Sequence, residues 1–146
     1  MLVFLKGLLL CLPLGYGAYA DIRTREIPDT VPVLILLAGL IGFSPLFSVM
    51  GLLVTGLPFL IAALCSGNGI GGGDIKLAAA CGFVLGAWGG ILQIILGLAL
   101  AIIYAVVRAA VSGMKIERKA RIPLAPFLGV GGMLSYLITF IGGLTI

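Results

Sequence analysis

Ser66-Gly67-Asn68-Gly69-Ile70-Gly71-Gly72-Gly73-Asp74-Ile75-Lys76-Leu77 is the most informative stretch of this chain. It sets a glycine-rich loop and one carboxylate between two long apolar runs. Asp74 falls where the second run begins, at the N-terminal end of a predicted helix, where the helix dipole favours an anion. A carboxylate beside hydrocarbon is expensive to keep, and such residues mark functional sites by default.

The rest of the chain explains why this charge stands out. Of 146 residues, 62% are hydrophobic and 10% charged, and the mean hydropathy is +1.31. A soluble domain cannot hide that much apolar surface. The composition therefore predicts an all-α, polytopic membrane protein, folded as one compact domain over residues 1–146. The net charge of +4 does not point to nucleic acid, because the basic residues sit in short loops between apolar runs, as the positive-inside rule requires. There is no histidine, which removes Ser-His-Asp and Cys-His catalysis and His-ligated zinc. Cys11, Cys65 and Cys81 form no C-x-x-C pair, so packing as buried small hydrophobes is expected and a metal site or disulfide is not.

Hydropathy and punctuation give spans near 2–20, 31–43, 46–65, 75–88, 91–111 and 124–144. Ala18-Tyr19-Ala20 also fits a signal-peptidase site. The residues beyond it are again membrane-like, so the segment reads as a first transmembrane helix. Pro28 keeps Ile27 extended, and Asp29 or Thr30 then caps the second helix, with Pro32 in its first turn. Ser44-Pro45 ends that helix. The apolar run from Ile75 to Val111 is too long for one crossing, and Gly89-Gly90 is the natural turn. With a turn there, Arg23/Arg25, Lys76 and the group Arg108/Lys115/Arg118/Lys119/Arg121 all fall on one side. The result is six helices with both termini on the non-cytoplasmic side; Lys6 can snorkel. Gly82-x-x-x-Gly86 and Gly86-x-x-x-Gly90 predict close helix packing in the fourth span.

In that topology Asp21 closes the first helix and Asp74 opens the fourth, so both carboxylates reach the same, basic face. If they lie close, repulsion separates their titrations and the pair holds one proton over a broad range. One carboxylate then takes a proton from water while the other gives one to a scissile carbonyl oxygen. Such chemistry needs no metal, cofactor or nucleophilic side chain. The loop serves it: Gly71, Gly72 and Gly73 expose backbone N–H groups to an extended substrate strand without side-chain clashes.

Three segments carry a family resemblance: Asp21-x5-Ile27-Pro28, Gly72-Gly73-Asp74-Ile75-Lys76-Leu77 with Gly71 before it, and Ile122-Pro123-Leu124-Ala125-Pro126-Phe127-Leu128. Together they resemble the type IV prepilin peptidases, GxGD-type intramembrane aspartic proteases, over nearly the whole chain. The resemblance implies an aspartic endopeptidase in the inner (plasma) membrane that cleaves the leader of prepilin-like or pseudopilin-like proteins after a glycine, at the cytoplasmic face. It maps the catalytic pair onto Asp21 and Asp74. It makes prepilin-like substrate and membrane lipid the partners, with pilus-assembly or secretion machinery as candidates. Two departures stand out. Asp29 occupies a position that is often Asn, and nothing like the cysteine-rich domain of longer, N-methylating members is present. The chain looks like the short forms.

Plainer readings stand beside these. Glu26, Asp29 and Glu117 lie in basic loops, where solvated pairing is the default. Lys76 could act with Ser66 as a Ser-Lys pair, but reads better as an interfacial anchor that tunes Asp74 and contacts substrate. Gly67-x-Gly69-x-x-Gly72 matches the dinucleotide fingerprint, yet a transmembrane run precedes it where a βαβ unit would be needed. The basic run Lys115–Arg121 reads as a headgroup-facing connector. The rival function is a small transporter or channel subunit in which Asp21 and Asp74 relay protons or cations.

Overall fold

The computed structural model of the chain describes residues 1–65, 70–112 and 123–141. All regular structure among them is helical: α1 (Leu2–Thr24), α2 (Thr30–Gly39), α3 (Pro45–Cys65), α4 (Gly72–Ser112) and α5 (Ala125–Ile141). Ser66 to Gly69, the basic run at 115–121 and Ile122 lie outside the described residues.

Local chemistry sets the boundaries. α1 ends where Arg25 turns left-handed (φ 57°) and its N–H returns to the Asp21 carbonyl at 2.9 Å, an αL-type close that satisfies one terminal carbonyl. α2 stops at Gly39, short of the expected Phe43, because the chain turns there and Gly42 adopts φ 66°, a conformation that suits glycine. Asp29 does hold the N-cap position of α2, but its side chain makes no capping bond.

The long apolar run of α4 is two arms that meet at Gly86, whose φ 72° and ψ −178° are not helical. Residues eight apart in an unbroken helix are separated by about 12 Å. A Cβ built on Gly90 nevertheless lies 3.3 Å from the Cα of Gly82, so the second arm folds back along the first. The expected reversal at Gly89-Gly90 therefore occurs at Gly86. Its backbone conformation is one that essentially only glycine adopts, and the Phe47 ring fills the space a side chain would need. Gly90 is spent on packing instead, against Thr55 of α3 and Gly82.

Small residues fix the remaining neighbours. α3 runs antiparallel to the first arm, with Gly51 on Gly82 and the Thr55 hydroxyl 2.9 Å from the carbonyl oxygens of both Gly51 and Ala78. The second arm runs antiparallel to α5: the Ser135 hydroxyl donates to the Gly89 carbonyl at 2.6 Å, and Gly97 meets Leu128. α1 runs antiparallel to α5 through Leu14 on Gly129 and Gly132 and Gly7 on Tyr136. α2 packs on α1 and on the first arm, with Val31 on Gly17 and Gly39 on Phe83. Such contacts suit a membrane bundle, where close backbone approach and interhelical hydrogen bonds replace the hydrophobic drive. These directions gather the C-terminal end of α1 and the N-terminal ends of α2, α4 and α5 at one end of the bundle.

The core is built from Leu10, Leu14, Val31, Ile35, Leu77, Cys81, Val84 and Leu128, among others. The exterior is equally apolar: Leu8, Leu12, Leu64, Trp88, Ile102 and Val111 are all more than half exposed. A surface of that kind belongs against lipid rather than water. Pro45–Cys65 and Gly72–Val111 are long and apolar enough to cross a bilayer, and Thr30–Gly39 and Ala125–Thr139 are shorter apolar helices. Of the cysteines, only Cys81 is buried; Cys11 is half-buried and Cys65 exposed, because Cys65 ends α3 on its outer face. All three are free.

Gly51→Ala is expected to destabilise the protein by about 1–3 kcal/mol or more, since its Cβ would strike the Gly82 carbonyl and the Gly86 backbone, which cannot yield as a side chain can. Gly15→Ala, with nothing within 4 Å, should stay within about 1 kcal/mol of the parent. Thermal unfolding in detergent checks the pair, and equal effects would refute the packing described.

Candidate active site

Asp21 lies in the last turn of α1 and is only 7% exposed. A buried carboxylate needs donors, and Asp21 finds one across the bundle. The backbone N–H of Ala125, first residue of α5, donates to Asp21 Oδ2 at 2.9 Å. An anionic side chain at a helix N-terminus satisfies one of the four donors that the helix itself leaves unpaired. Around it, Thr24 Oγ1 donates to the Ala20 carbonyl and Arg23 to the Tyr19 hydroxyl, so these neighbours are engaged elsewhere.

Asp74 is the third residue of α4. Its own N–H donates to the Gly71 carbonyl at 3.1 Å, and Gly71 lies against its carboxyl. Among the described residues, one carboxyl oxygen, Oδ1, is buried without a hydrogen-bond partner, a state that costs free energy and calls for a reason. The Asp21 charge acts directly on Asp74, so the two sequence-predicted carboxylates, 53 positions apart, lie within Coulombic reach at the same end of the bundle.

The three glycines before Asp74 divide in role. Gly71 sits against the carboxyl, where an added Cβ would be 3.3 Å from Oδ2. Gly72 faces open space. Gly73 is covered by Ile27, 2.9 Å from where its Cβ would be, so the Ile27-Pro28 turn docks on the glycine loop. Lys76 has Asp29 as its ion-pair partner, Nζ to Oδ1 at 2.6 Å, with both side chains more than half exposed. The Asp29 carboxylate thus serves Lys76 rather than capping α2. An exposed pair of this kind contributes little stability. Among the described residues, no three His, Cys, Asp or Glu side chains gather where they could hold a metal.

Sequence reasoning gave Ala125 no role, because its contribution is a backbone N–H. It also passed over Gln93, which is fully buried and donates through Nε2 to the Leu128 carbonyl at 3.2 Å, tying the first turn of α5 to the second arm. An amide inside so apolar a run is a readable signal.

Comparison with known proteins bears on the family of this chain. A sequence model of the type IV leader peptidase family matches residues 8–106, a range that includes both Asp21 and Asp74. A prepilin leader peptidase/N-methyltransferase of Bacillus subtilis (strain 168) is 36% identical over 133 residues, covering 82% of this chain and 50% of that protein. The chain thus spans about half the length of this relative. No solved structure matches. With both carboxylates inside the matched region and most of the chain aligned to this relative, the protein belongs to the type IV leader peptidase family.

Proposed function

We propose that this protein is an aspartic endopeptidase of the inner (plasma) membrane that removes leader peptides from prepilin-like or pseudopilin-like proteins, with Asp21 and Asp74 as its catalytic pair. The observation that carries the reading is the placement of these two carboxyl groups, from α1 and α4, within Coulombic reach at one end of an apolar bundle. Repulsion between two acidic groups disfavours charging both, which favours a single proton between them. Water gives a proton to the basic member and adds its oxygen to the scissile carbonyl carbon. The acidic member gives its proton to the carbonyl oxygen. The tetrahedral diol then collapses, the C–N bond breaks, and a proton passes to the departing amine. Methyl transfer, named for the relative, is no part of this reading.

Gly71 and Gly72, both exposed, leave room for an extended substrate backbone beside Asp74. Gly73 and Lys76, each already engaged within the protein, border this site. The six-span topology, with both termini outside and the pair facing the cytoplasm, has the fold-back at Gly86 and the basic loops in its favour. The chain then forms one membrane-embedded peptidase domain. Substrate, lipid and any pilus-assembly or secretion machinery meet it at the membrane surface.

Asp21→Asn and Asp74→Asn should each lower cleavage of a co-expressed prepilin-like substrate by about 100-fold or more while leaving the protein folded. Processing that persists in either variant removes that residue from the pair. Cleavage of a solubilised leader peptide should fall on both sides of a pH optimum. Acid protonates both groups and removes the base, and alkali ionises both and removes the acid. A rate that only climbs with pH would rule out a shared proton. A reporter fused after residue 113 should read cytoplasmic, and a non-cytoplasmic signal would overturn the six-span arrangement.

A further inference from the structure

We infer that the Ala125 backbone N–H is a positioning donor that makes Asp21 the general base of the pair and leaves Asp74 as the general acid. The inference rests on the catalytic pair proposed above and divides its labour. The first turn of α5 is arranged to offer Asp21 one donor. Pro123 and Pro126 have no N–H. The N–H groups of Phe127 and Leu128 both go to the Leu124 carbonyl, at 3.1 and 3.0 Å. Ala125 is left with the N–H that points at the site, and it reaches Asp21 Oδ2 at 2.9 Å with both residues buried. Gln93, bonded to the Leu128 carbonyl, holds that turn in place.

A donor at the positive end of a helix stabilises charge on the oxygen it contacts. It also uses up one Asp21 oxygen and fixes the direction of the other, which is what a group receiving a proton from water requires. Asp74 is held differently. Among the described residues, its Oδ1 is buried with no hydrogen-bond partner. A buried, unpartnered oxygen is far less costly in a neutral carboxyl than in a carboxylate. Asp74 is therefore the member suited to carrying the proton that goes to the substrate.

An amide-to-ester exchange at residue 125, placing lactate there in the full chain, removes the N–H and keeps the side chain. With a synthetic prepilin leader peptide as probe, kcat should drop about 10- to 100-fold with KM within about twofold. The same exchange at Leu137, in the middle of α5, should leave kcat near the parent value. An unchanged kcat at 125, or an equal drop at 137, overturns the inference. Infrared spectra of the parent protein, labelled at its aspartate carboxyls, decide the matter without a variant. The protonated carboxyl should absorb at the high frequency of a C=O without a hydrogen-bond partner. A band at the lower frequency of a hydrogen-bonded acid, or no acid band near neutral pH, refutes the assignment. Asp21→Asn separates the two levels. If that variant still cuts the peptide, the catalytic pair itself fails. If it is dead while the ester at 125 is fully active, only the role of Ala125 fails.

Discussion

A buried helix end lacks partners for its first N–H groups, and a buried carboxylate lacks donors to solvate it. The Ala125–Asp21 hydrogen bond answers both needs at once and joins the first described helix to the last. At the start of α4 the Asp74 N–H finds its partner locally, in the Gly71 carbonyl. The two carboxyl groups are thus held by the ends of two different helices, and their separation is governed by how those helices pack. The bundle between them determines the geometry of the pair.

That packing relies on residues without bulk. Gly51, Gly82 and Gly90 bring α3 and the two arms of α4 so close that side chains there would meet backbone. Gly97 and Gly131 do the same between the second arm and α5. Close approach lets Thr55, Gln93 and Ser135 bond across helices, each contributing on the order of 1 kcal/mol in a membrane setting. The Gln93 and Ser135 bonds hold α5 against the second arm of α4, and with it the turn that carries Ala125.

Much of this was legible in the chain because charge is so scarce. Asp21 and Asp74 stand out against apolar neighbours, and counting spans by the positive-inside rule puts them at one end before any contact is known. The turn in the long apolar run was legible in kind but misplaced. Gly89-Gly90 looks like a hinge, whereas Gly86 is the hinge because Phe47, 39 positions earlier in the chain, fits only over a glycine. Exposed pairing was not legible at all. Asp29 and Lys76 are both solvated, and no burial cost in the sequence says that they must meet. Ala125 was invisible for another reason: side-chain reasoning does not see main-chain donors. The clue was negative, the two prolines that silence the N–H groups around it.

The glycine loop itself takes on a different meaning in the folded chain. Taken alone, Gly71-Gly72-Gly73 is a uniform strip for a substrate backbone. In place, Gly73 is the seat of Ile27, Gly71 lies against the Asp74 carboxyl, and Gly72 faces open space. Two links therefore hold the turn after α1 onto the start of α4, and they differ in strength. The Lys76–Asp29 pair is exposed and worth at most about 1 kcal/mol. The Ile27–Gly73 contact buries apolar surface where an added methyl group would lie 2.9 Å from Ile27 and force the two segments to shift. Asp21 precedes that turn and Asp74 comes just after that glycine, so the contact ties together the two segments that carry the carboxyl groups. Glycine at 73 is thus explained by the seat of Ile27, independently of any substrate.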